Sequence, residues 1–362
     1  MIKTYAGETA DWINRYRGHQ PTFTCILSFT ETGLIPHLSA AGKTLEDRRC
    51  TAALDGDFLL ADPLQPARLP PLSAGISPAV ITRAVLQSLS IPCHLLSTGL
   101  PTPLKAPHIE LPNVSAQAVN TGQAMPLAAA AALFEAGQYW GKKLAPAGSY
   151  LILGECVVGG TTTAQAVLSA LGHTTNGLMS SSHRTSNHAQ KQSLVAAGIT
   201  AWQQQITQND EPLLESPLGI AAALGDPMQL VAAGMTLAAS QRCGVLLAGG
   251  AQMLAVYGLM KAIAQQFACP WIPEQIVVGT TRWVVEDSSA DTVAIARHLK
   301  APYLTSQINF GQSPYVQIKA YEQGFVKEGV GAGGCAIASH LIANWNKDQL
   351  RHAVEAELRH SF

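Results

Sequence analysis

The residues best suited to chemistry lie in a loop rich in glycine and threonine, between a short apolar run and a helical pattern. The run begins at Tyr150, and the loop contains Gly159, Gly160, Thr161 and Thr162. The first-turn amides of a helix have no intrahelical partner, and the helix dipole favours negative charge beside them. Glycines let a ligand approach the backbone, and threonine hydroxyls can add hydrogen bonds. The loop therefore predicts a phosphate site.

The loop departs from the Walker A pattern at one decisive position. Gly154 and Gly159 have the Walker spacing and Thr161 falls on its Ser/Thr position, but Gly160 stands where the lysine belongs. Without that lysine, triphosphate recognition and phosphoryl transfer lose their main cation, so the loop favours a phosphate monoester over ATP. Two alternatives stay open: an ATPase with Mg-dependent hydrolysis, and a structural turn that binds nothing.

A second glycine-rich turn presents a carboxylate. Gly329, Gly331 and Gly334 satisfy the GxGxxG pattern, but a polar segment precedes them and about one helix follows, so no βαβ unit can be completed. Backbone at such a turn can approach a flat ligand, with Glu328 beside it. If apolar walls desolvate Glu328, its pKa rises and it becomes a useful general base. The alternative is a solvated glutamate at the start of a capped helix.

Other polar residues have less specific interpretations. Glu155 can orient a ribose hydroxyl or hold loop amides, provided that its charge points away from a phosphate. Asp226 is expected to cap the helix that follows it. His173, His183 and His188 form no metal-ligand spacing with a cysteine or carboxylate, so we expect no metal site.

Short apolar runs alternate with helical patterns along most of the chain. Strands are predicted over Thr22–Phe29 and from Tyr150, with a helix from Thr163, and residues 1–20 are expected to form an amphipathic helix. The alternation predicts an α/β protein with a three-layer, doubly wound, mostly parallel sheet (Rossmann-like), in which ligands bind beyond the carboxyl ends of the strands.

Composition excludes several classes of function. The chain has 362 residues, with 23 Lys and Arg against 24 Asp and Glu, and no basic block, so we expect no nucleic-acid partner. Its seven cysteines are scattered without a CxxC pair, which is typical of reduced thiols in a cytoplasmic protein. The uncharged span 243–260 contains a glycine turn that would leave backbone groups unpaired in a bilayer, so we expect no membrane partner.

Taken together, these motifs resemble the nicotinate-nucleotide–dimethylbenzimidazole phosphoribosyltransferase family of cobalamin assembly, in its divergent archaeal and cyanobacterial branch. The match spans most of the chain in consistent order. The matching motifs are Thr30-Glu31-Thr32, Ser77-Pro78, Gly154-Glu155 with Thr161-Thr162, Lys191, Gly225-Asp226, and Glu328-Gly329-x-Gly331.

The resemblance implies a ribosyl transfer. Nicotinate mononucleotide would give its ribose 5-phosphate to a nitrogen of an aromatic base, releasing nicotinate and forming an α-ribotide for the lower ligand of a cobamide. Glu328 would remove the proton of the attacking base, and the loop 159–162 would hold the 5′-phosphate. No cofactor is implied, and a homodimer is expected. Further substrate contacts are implied at Glu155, Lys191, Gly225, Lys327, Gly329 and Gly331, and base-pocket contacts at Glu31 and Ser77.

Three positions depart from the family pattern. The family's asparagine before the threonine pair is Gly160, the residue three before the glutamate is Phe325, and Lys327 replaces a glycine. Lys327 can supply the missing positive charge from a different backbone position. The acceptor base therefore stays open between dimethylbenzimidazole and a purine such as adenine. The competing class is a non-catalytic or regulatory nucleotide-binding protein on the same scaffold.

The resemblance also suggests a second, smaller lobe. We expect a large α/β nucleotide-binding domain over residues 20–345, and a small helical lobe formed by residues 1–20 together with 346–362.

Overall fold

The apolar runs of the sequence form the strands of an eight-stranded sheet. The computed structural model describes residues 1–62, 68–185, 187–209 and 211–361. The strands are β1 (Ile2–Ala6), β2 (Thr22–Ser28), β3 (Cys93–Thr98), β4 (Ile109–Glu110), β5 (Tyr150–Cys156), β6 (Gly244–Ala248), β7 (Ile276–Thr281) and β8 (Tyr303–Ser306).

The strand order creates a topological switch point between β2 and β5. The order is β1-β8-β7-β6-β5-β2-β3-β4, and every neighbouring pair is parallel except the antiparallel pair β1 and β8. From β2 the chain winds outward through β3 to β4, and from β5 it winds the other way through β6 and β7. Ligands of such sheets bind where the winding reverses. The predicted doubly wound, mostly parallel α/β fold is confirmed.

Helices cover both faces of the sheet. Among the residues that the structure describes, the α-helices are α1 (Ala10–Tyr16), α2 (Leu45–Leu59), α3 (Ala79–Ser88), α4 (Leu127–Leu144), α5 (Gly160–Ala170), α6 (His188–Gln208), α7 (Pro217–Leu224), α8 (Pro227–Ser240), α9 (Ala251–Phe267), α10 (Arg282–Val285), α11 (Thr292–Leu299), α12 (Val316–Glu322), α13 (Ala332–Ala343) and α14 (Lys347–Ser361).

Strand β5 shows how the two faces share one strand. Successive side chains of a strand point to opposite faces. Leu151 and Leu153 pack in a core with α4, α5, α8 and α9, whereas Tyr150 and Ile152 pack in a second core with α1, α3, α13 and α14. All four side chains are fully buried. Apolar residues at all four of these positions are thus what a strand covered on both faces requires.

The predicted opening helix over residues 1–20 is wrong in its first half. Residues Ile2–Ala6 form β1, which pairs with β8, and only Ala10–Tyr16 are helical. The expectation of one helix after the second glycine cluster is also wrong, because α13 and α14 both follow it. The partition into a domain over 20–345 and a lobe from 1–20 and 346–362 stays a prediction, and Phe362 lies outside the described residues.

Candidate active site

A cleft opens at the carboxyl ends of β5 and β6, next to the switch point. It contains about 860 Å³ of free space, including open solvent at its mouth. Both glycine-rich segments that the sequence singled out contribute to its wall. The predicted site residues that line the cleft are Ser77, Glu155, Gly159, Gly160, Thr161, Lys327, Glu328 and Gly329.

The tip of α5 forms one end of the cleft. Gly159 precedes the helix with a φ of 89°, in the left-handed region, and no side chain caps the helix. A Cβ at Gly159 would lie 2.5 Å from the amide nitrogen of Gly33, so glycine is required for both its conformation and its size. The helix begins three residues before the predicted start at Thr163, which brings Gly160, Thr161 and Thr162 into its first turn. This uncapped first turn can bind an anion.

Gln252 fills the space beside Gly160. A Cβ at Gly160 would lie 1.7 Å from Oε1 of Gln252, a residue of the first turn of α9. The Gln252 amide therefore occupies the space into which a side chain at position 160 would extend. Its Oε1 is buried without a hydrogen-bond partner among the described residues.

Lys191 lies behind the α5 tip. Its ammonium group donates to Oγ1 of Thr161 at 3.0 Å and to the carbonyl oxygen of Ser180 at 3.3 Å, and the side chain is fully buried. Burial, followed by the positive charge of Lys327, lowers the pKa of Lys191 to about 7. An anion bound at the α5 tip would favour the protonated form, which couples its binding to the charge of Lys191.

The ammonium group of Lys327 donates all of its hydrogen bonds to protein groups. It donates to Oδ2 of Asp287 at 2.6 Å and to the carbonyl oxygens of Ser181 at 3.2 Å and His183 at 2.8 Å. An ammonium has three protons, so these acceptors use them all. Burial alone would raise the pKa of Asp287, but hydrogen bonds from Lys327 and Ser289 hold it below its usual value. Lys327 thus fixes the 181–183 segment, and its charge is paired with that of Asp287.

Glu328 faces the cleft with its carboxylate fully hydrogen-bonded. Oε2 accepts from the Thr280 hydroxyl and the Thr281 amide, each at 2.8 Å. Oε1 accepts from the amides of Gly329 at 3.1 Å and Gly333 at 3.0 Å, the latter in the first turn of α13. Burial raises the pKa of Glu328, and these hydrogen bonds offset part of the rise. The group is held rigidly, and taking up a proton requires one donor to move away.

Glu155 places a second carboxyl group beside Glu328. It is buried near the end of β5, and its carbonyl oxygen accepts from the Val330 amide at 2.9 Å. Burial, together with the charges of Asp226 and Glu328, raises the pKa of the Glu155 carboxyl to about 8. The surroundings of Glu155 therefore favour its protonated form. Two carboxyl groups with different proton affinities in one cleft can divide acid and base roles.

The remaining predicted site residues do not line the cleft. Thr162 is buried within α5, Gly225 ends α7, and Gly331 packs against Gly154. Glu31 is exposed in a 3-10 helix after β2. These four positions, like the roles of those in the cleft, stay predictions.

Asp226 joins the first turns of α8 and α5 next to the cleft. It caps α8 by accepting from the Gln229 amide at 3.3 Å, which confirms the capping role expected from the sequence. Its other oxygen accepts from the Thr163 hydroxyl at 2.6 Å, and this buried hydrogen bond ties α8 to α5. The turn at 225–226 therefore positions the α5 tip.

Several cleft residues were missed by sequence reasoning. Asp55 on α2, Gln252 on α9, and the serines at 180–182 all line the cleft, and Asp287 pairs with Lys327 behind it. The only local signal was at Gly249-Gly250, a turn after a strand that resembles the turn after β5. Asp55 and Asp287 stand in no motif.

Two further kinds of feature are absent from the part of the chain that the structure describes. No group of three or more His, Cys, Asp or Glu side chains there could hold a metal ion. Within the same residues, every helix is too short or too polar to cross a membrane.

Comparison with known proteins adds relatives across almost the whole chain. A family model described as phosphoribosyltransferase matches residues 100–273. UPF0284 proteins of Cyanothece sp. (strain PCC 7425) and Trichodesmium erythraeum are each 50% identical, over 98% of this chain and 96% and 97% of their own lengths. A UPF0284 protein of Microcystis aeruginosa is 49% identical over 98% of both chains.

Solved structures share the fold. CobT from Thermus thermophilus superposes with a TM-score of 0.59 at 15% identity, covering 93% of this chain and 84% of that one. A second structure from that organism, a nicotinate-nucleotide-dimethylbenzimidazole phosphoribosyltransferase, has a TM-score of 0.56 at 15% identity, with 95% and 84% covered. The resemblance that the sequence motifs indicated is confirmed.

Proposed function

The chain belongs to the UPF0284 family, and from this premise we propose that it is a phosphoribosyltransferase that uses nicotinate mononucleotide. Ribose 5-phosphate would pass to a ring nitrogen of an aromatic base, giving an α-ribotide for the lower ligand of a cobamide. The observation that carries the proposal is the pairing of an uncapped helix tip and a buried lysine with two carboxyl groups in one cleft.

The phosphate end of the proposed complex is the α5 tip. The 5′-phosphate would accept from first-turn groups of α5, including the Thr161 hydroxyl, with the charge of Lys191 immediately behind. Lys327 supports this end indirectly, since its hydrogen bonds hold the segment 181–183 and its charge is paired with Asp287. Anchoring the phosphate in this way uses binding energy far from the reacting bond to orient the ribose.

The bond changes would occur where Glu328 faces the cleft. A ring nitrogen of the incoming base attacks C1′ of the ribose, and the bond from C1′ to the pyridinium nitrogen breaks with its electron pair going to nicotinate. The two bases lie on opposite faces of the sugar, so the product is α-linked. The proton of the attacking nitrogen passes to Glu328, whose position is fixed by Thr280, Thr281 and the amides of Gly329 and Gly333.

Two buried polar atoms in the cleft favour a polar ligand. Oγ of Ser181 and Oε1 of Gln252 have no hydrogen-bond partner among the described residues, although both residues line the cleft. Buried polar groups in native proteins are nearly always paired. Ribose hydroxyls and phosphate oxygens would supply partners for the serine hydroxyl, and a ribose hydroxyl would donate to the glutamine oxygen.

The proposal includes no cofactor and no metal. It also includes a homodimer in the cytoplasm, on the basis of the family resemblance, and size-exclusion chromatography with light scattering would measure the assembly.

The decisive experiment incubates the purified full-length protein with nicotinate mononucleotide and a panel of benzimidazoles and purines. Mass spectrometry should detect an α-ribotide of at least one base together with an equal amount of nicotinate. Equal amounts matter, because hydrolysis alone would release nicotinate and ribose 5-phosphate without a ribotide.

The competing class, a non-catalytic nucleotide-binding protein on the same scaffold, predicts a different outcome. Such a protein would bind nicotinate mononucleotide in isothermal titration calorimetry but form no ribotide with any base in the panel. That combination would overturn the catalytic proposal while leaving the phosphate site intact.

A further inference from the structure

Asp55 is a buried carboxyl group in the wall of the cleft that no motif predicted. It lies on α2 with 2% of its surface exposed. Its Oδ1 accepts from the Ser77 hydroxyl at 2.6 Å, and its Oδ2 accepts from the Cys156 thiol at 3.4 Å. Burial raises the pKa of Asp55 to about 7, and these two hydrogen bonds lower it in part.

Each oxygen of Asp55 retains capacity to accept another hydrogen bond. A carboxylate has about four acceptor positions, and the protein contacts of Asp55 use two. The cleft also has apolar walls, including Leu72, Pro78 and Val330. An acceptor that stays unpaired in apolar surroundings is costly, so this group favours a ligand that donates a hydrogen bond.

Asp55 lies in the part of the cleft that contains Glu155 and Glu328. Its partner Cys156 directly follows Glu155. Its other partner, Ser77, precedes Pro78, whose ring lies 3.5 Å from the position that a Cβ at Gly329 would take. Gly329 directly follows Glu328. A base that presents its reacting nitrogen to Glu328 therefore has Asp55 within the same part of the cleft.

We propose that Asp55 selects the incoming base by accepting a hydrogen bond from an amino group on its ring. The inference rests on the proposed phosphoribosyl transfer and specifies its acceptor as an amino-substituted purine such as adenine. Dimethylbenzimidazole carries only methyl groups on the ring edge away from its nitrogens. It would leave the remaining acceptor positions of Asp55 unused, and sites built to hydrogen-bond a substrate group reject analogues that lack the group.

The test compares kcat/KM for adenine and for dimethylbenzimidazole, with nicotinate mononucleotide as donor. The wild type should prefer adenine. Asp55→Asn keeps the size of the side chain but replaces one acceptor oxygen with an NH2 group. The ratio of kcat/KM for adenine to that for dimethylbenzimidazole should then fall by about tenfold or more. Asp55→Leu, which replaces the carboxyl group with an apolar side chain, should shift the preference further toward dimethylbenzimidazole.

Thr51→Val is the matched control. Thr51 lines the cleft one turn before Asp55 on α2, and its hydroxyl donates to the Asp47 carbonyl oxygen at 2.9 Å. The substitution removes a hydroxyl from the same helix face without changing the carboxyl group, so the ratio should stay within about twofold of the wild type. Thermal unfolding of each variant would report whether it is folded.

Two results separate this inference from the proposed function. If the bases are turned over but the adenine preference is absent, or is the same in Asp55→Asn, the selecting role of Asp55 is wrong and the transferase proposal stands. If no base is turned over, equilibrium binding of adenine and dimethylbenzimidazole to the wild type and Asp55→Asn still measures the preference. An unchanged binding ratio would then overturn the inference as well.

Discussion

The cleft contains a lysine beside the α5 tip and carboxyl groups in its wall, and burial favours the uncharged form of both. Burial lowers the pKa of Lys191 beside the α5 tip, and it raises the pKa values of Asp55, Glu155 and Glu328 in the wall of the cleft. Desolvation disfavours every charged form, whichever its sign. The cleft is therefore closer to electrically neutral than its residue types suggest. A ligand that brings charge or moves a proton decides which groups ionise.

The two ends also differ in how they are assembled. The α5 tip is made by one continuous segment, with Lys191 added from the next helix. The three buried carboxyl groups, Asp55, Glu155 and Glu328, are widely separated in the sequence and line the same cleft only because of how the sheet is folded. Local substitutions should therefore affect phosphate binding and proton transfer separately.

The largest expected effect comes from the carboxyl end. Glu328→Gln should lower kcat by about 10²–10⁴-fold, the range for loss of a general base. Affinity for nicotinate mononucleotide, measured by calorimetry, should change little because the proposed phosphate site is the α5 tip. Glu110→Gln is the control, since Glu110 has an 87% exposed side chain on β4. A Glu328→Gln enzyme with wild-type turnover would remove this residue from the mechanism.

The converse substitution lies at the phosphate end. Lys191→Met should weaken binding of nicotinate mononucleotide by about 10- to 150-fold, which corresponds to about 1.5–3 kcal/mol for a hydrogen bond to a charged group. Nicotinate riboside, which differs from nicotinate mononucleotide only in lacking the phosphate, should bind wild type and variant alike. Lys105→Met, at an exposed position, serves as the control. Equal loss of affinity for both ligands would mean that the variant disturbs the whole cleft.

A pH profile of binding should distinguish the two ends further. The phosphate becomes a dianion above about pH 6, which favours binding. Lys191 loses its proton as the pH rises through its lowered pKa of about 7, which opposes binding. Affinity for the monoester should therefore peak between these values. In Lys191→Met the fall above pH 7 should become shallower, and the part that remains would come from the ionisation of Asp55 and Glu155. A fall as steep as in the wild type would show that Lys191 is not the titrating group.

The smallest expected effect is on stability at the α5 tip. Gly159→Ala should destabilise the protein by more than about 1–2 kcal/mol, because the left-handed conformation disfavours a Cβ and the Gly33 backbone lies 2.5 Å away. Gly172→Ala is a close control, since Gly172 has a φ of 86° with nothing within 4 Å of the added Cβ. The difference between the two melting temperatures isolates the crowding. Equal shifts would show that the tip tolerates a larger residue.

Sequence reasoning succeeded where the determinants are local. The alternation of apolar runs and helices led to the doubly wound sheet, and the glycine-threonine loop led to the α5 tip. It was wrong for residues 1–20 because β1 is an edge strand, and its pairing with β8 involves a segment some 300 residues away. A five-residue strand has little pattern of its own to distinguish it from a helix.

The amino-acid sequence by itself determined which segments could bind a phosphate and which glutamate stood beside a glycine turn, because helix-tip chemistry depends on residues adjacent in the chain. Only the tertiary structure decided that these two segments face one cleft, that Asp287 pairs with Lys327, and that Asp55 joins the wall. The physical reason is that parallel strands bring their carboxyl ends together through long crossovers. Which side chains then meet depends on sheet order and burial, and neither is a property of a local segment.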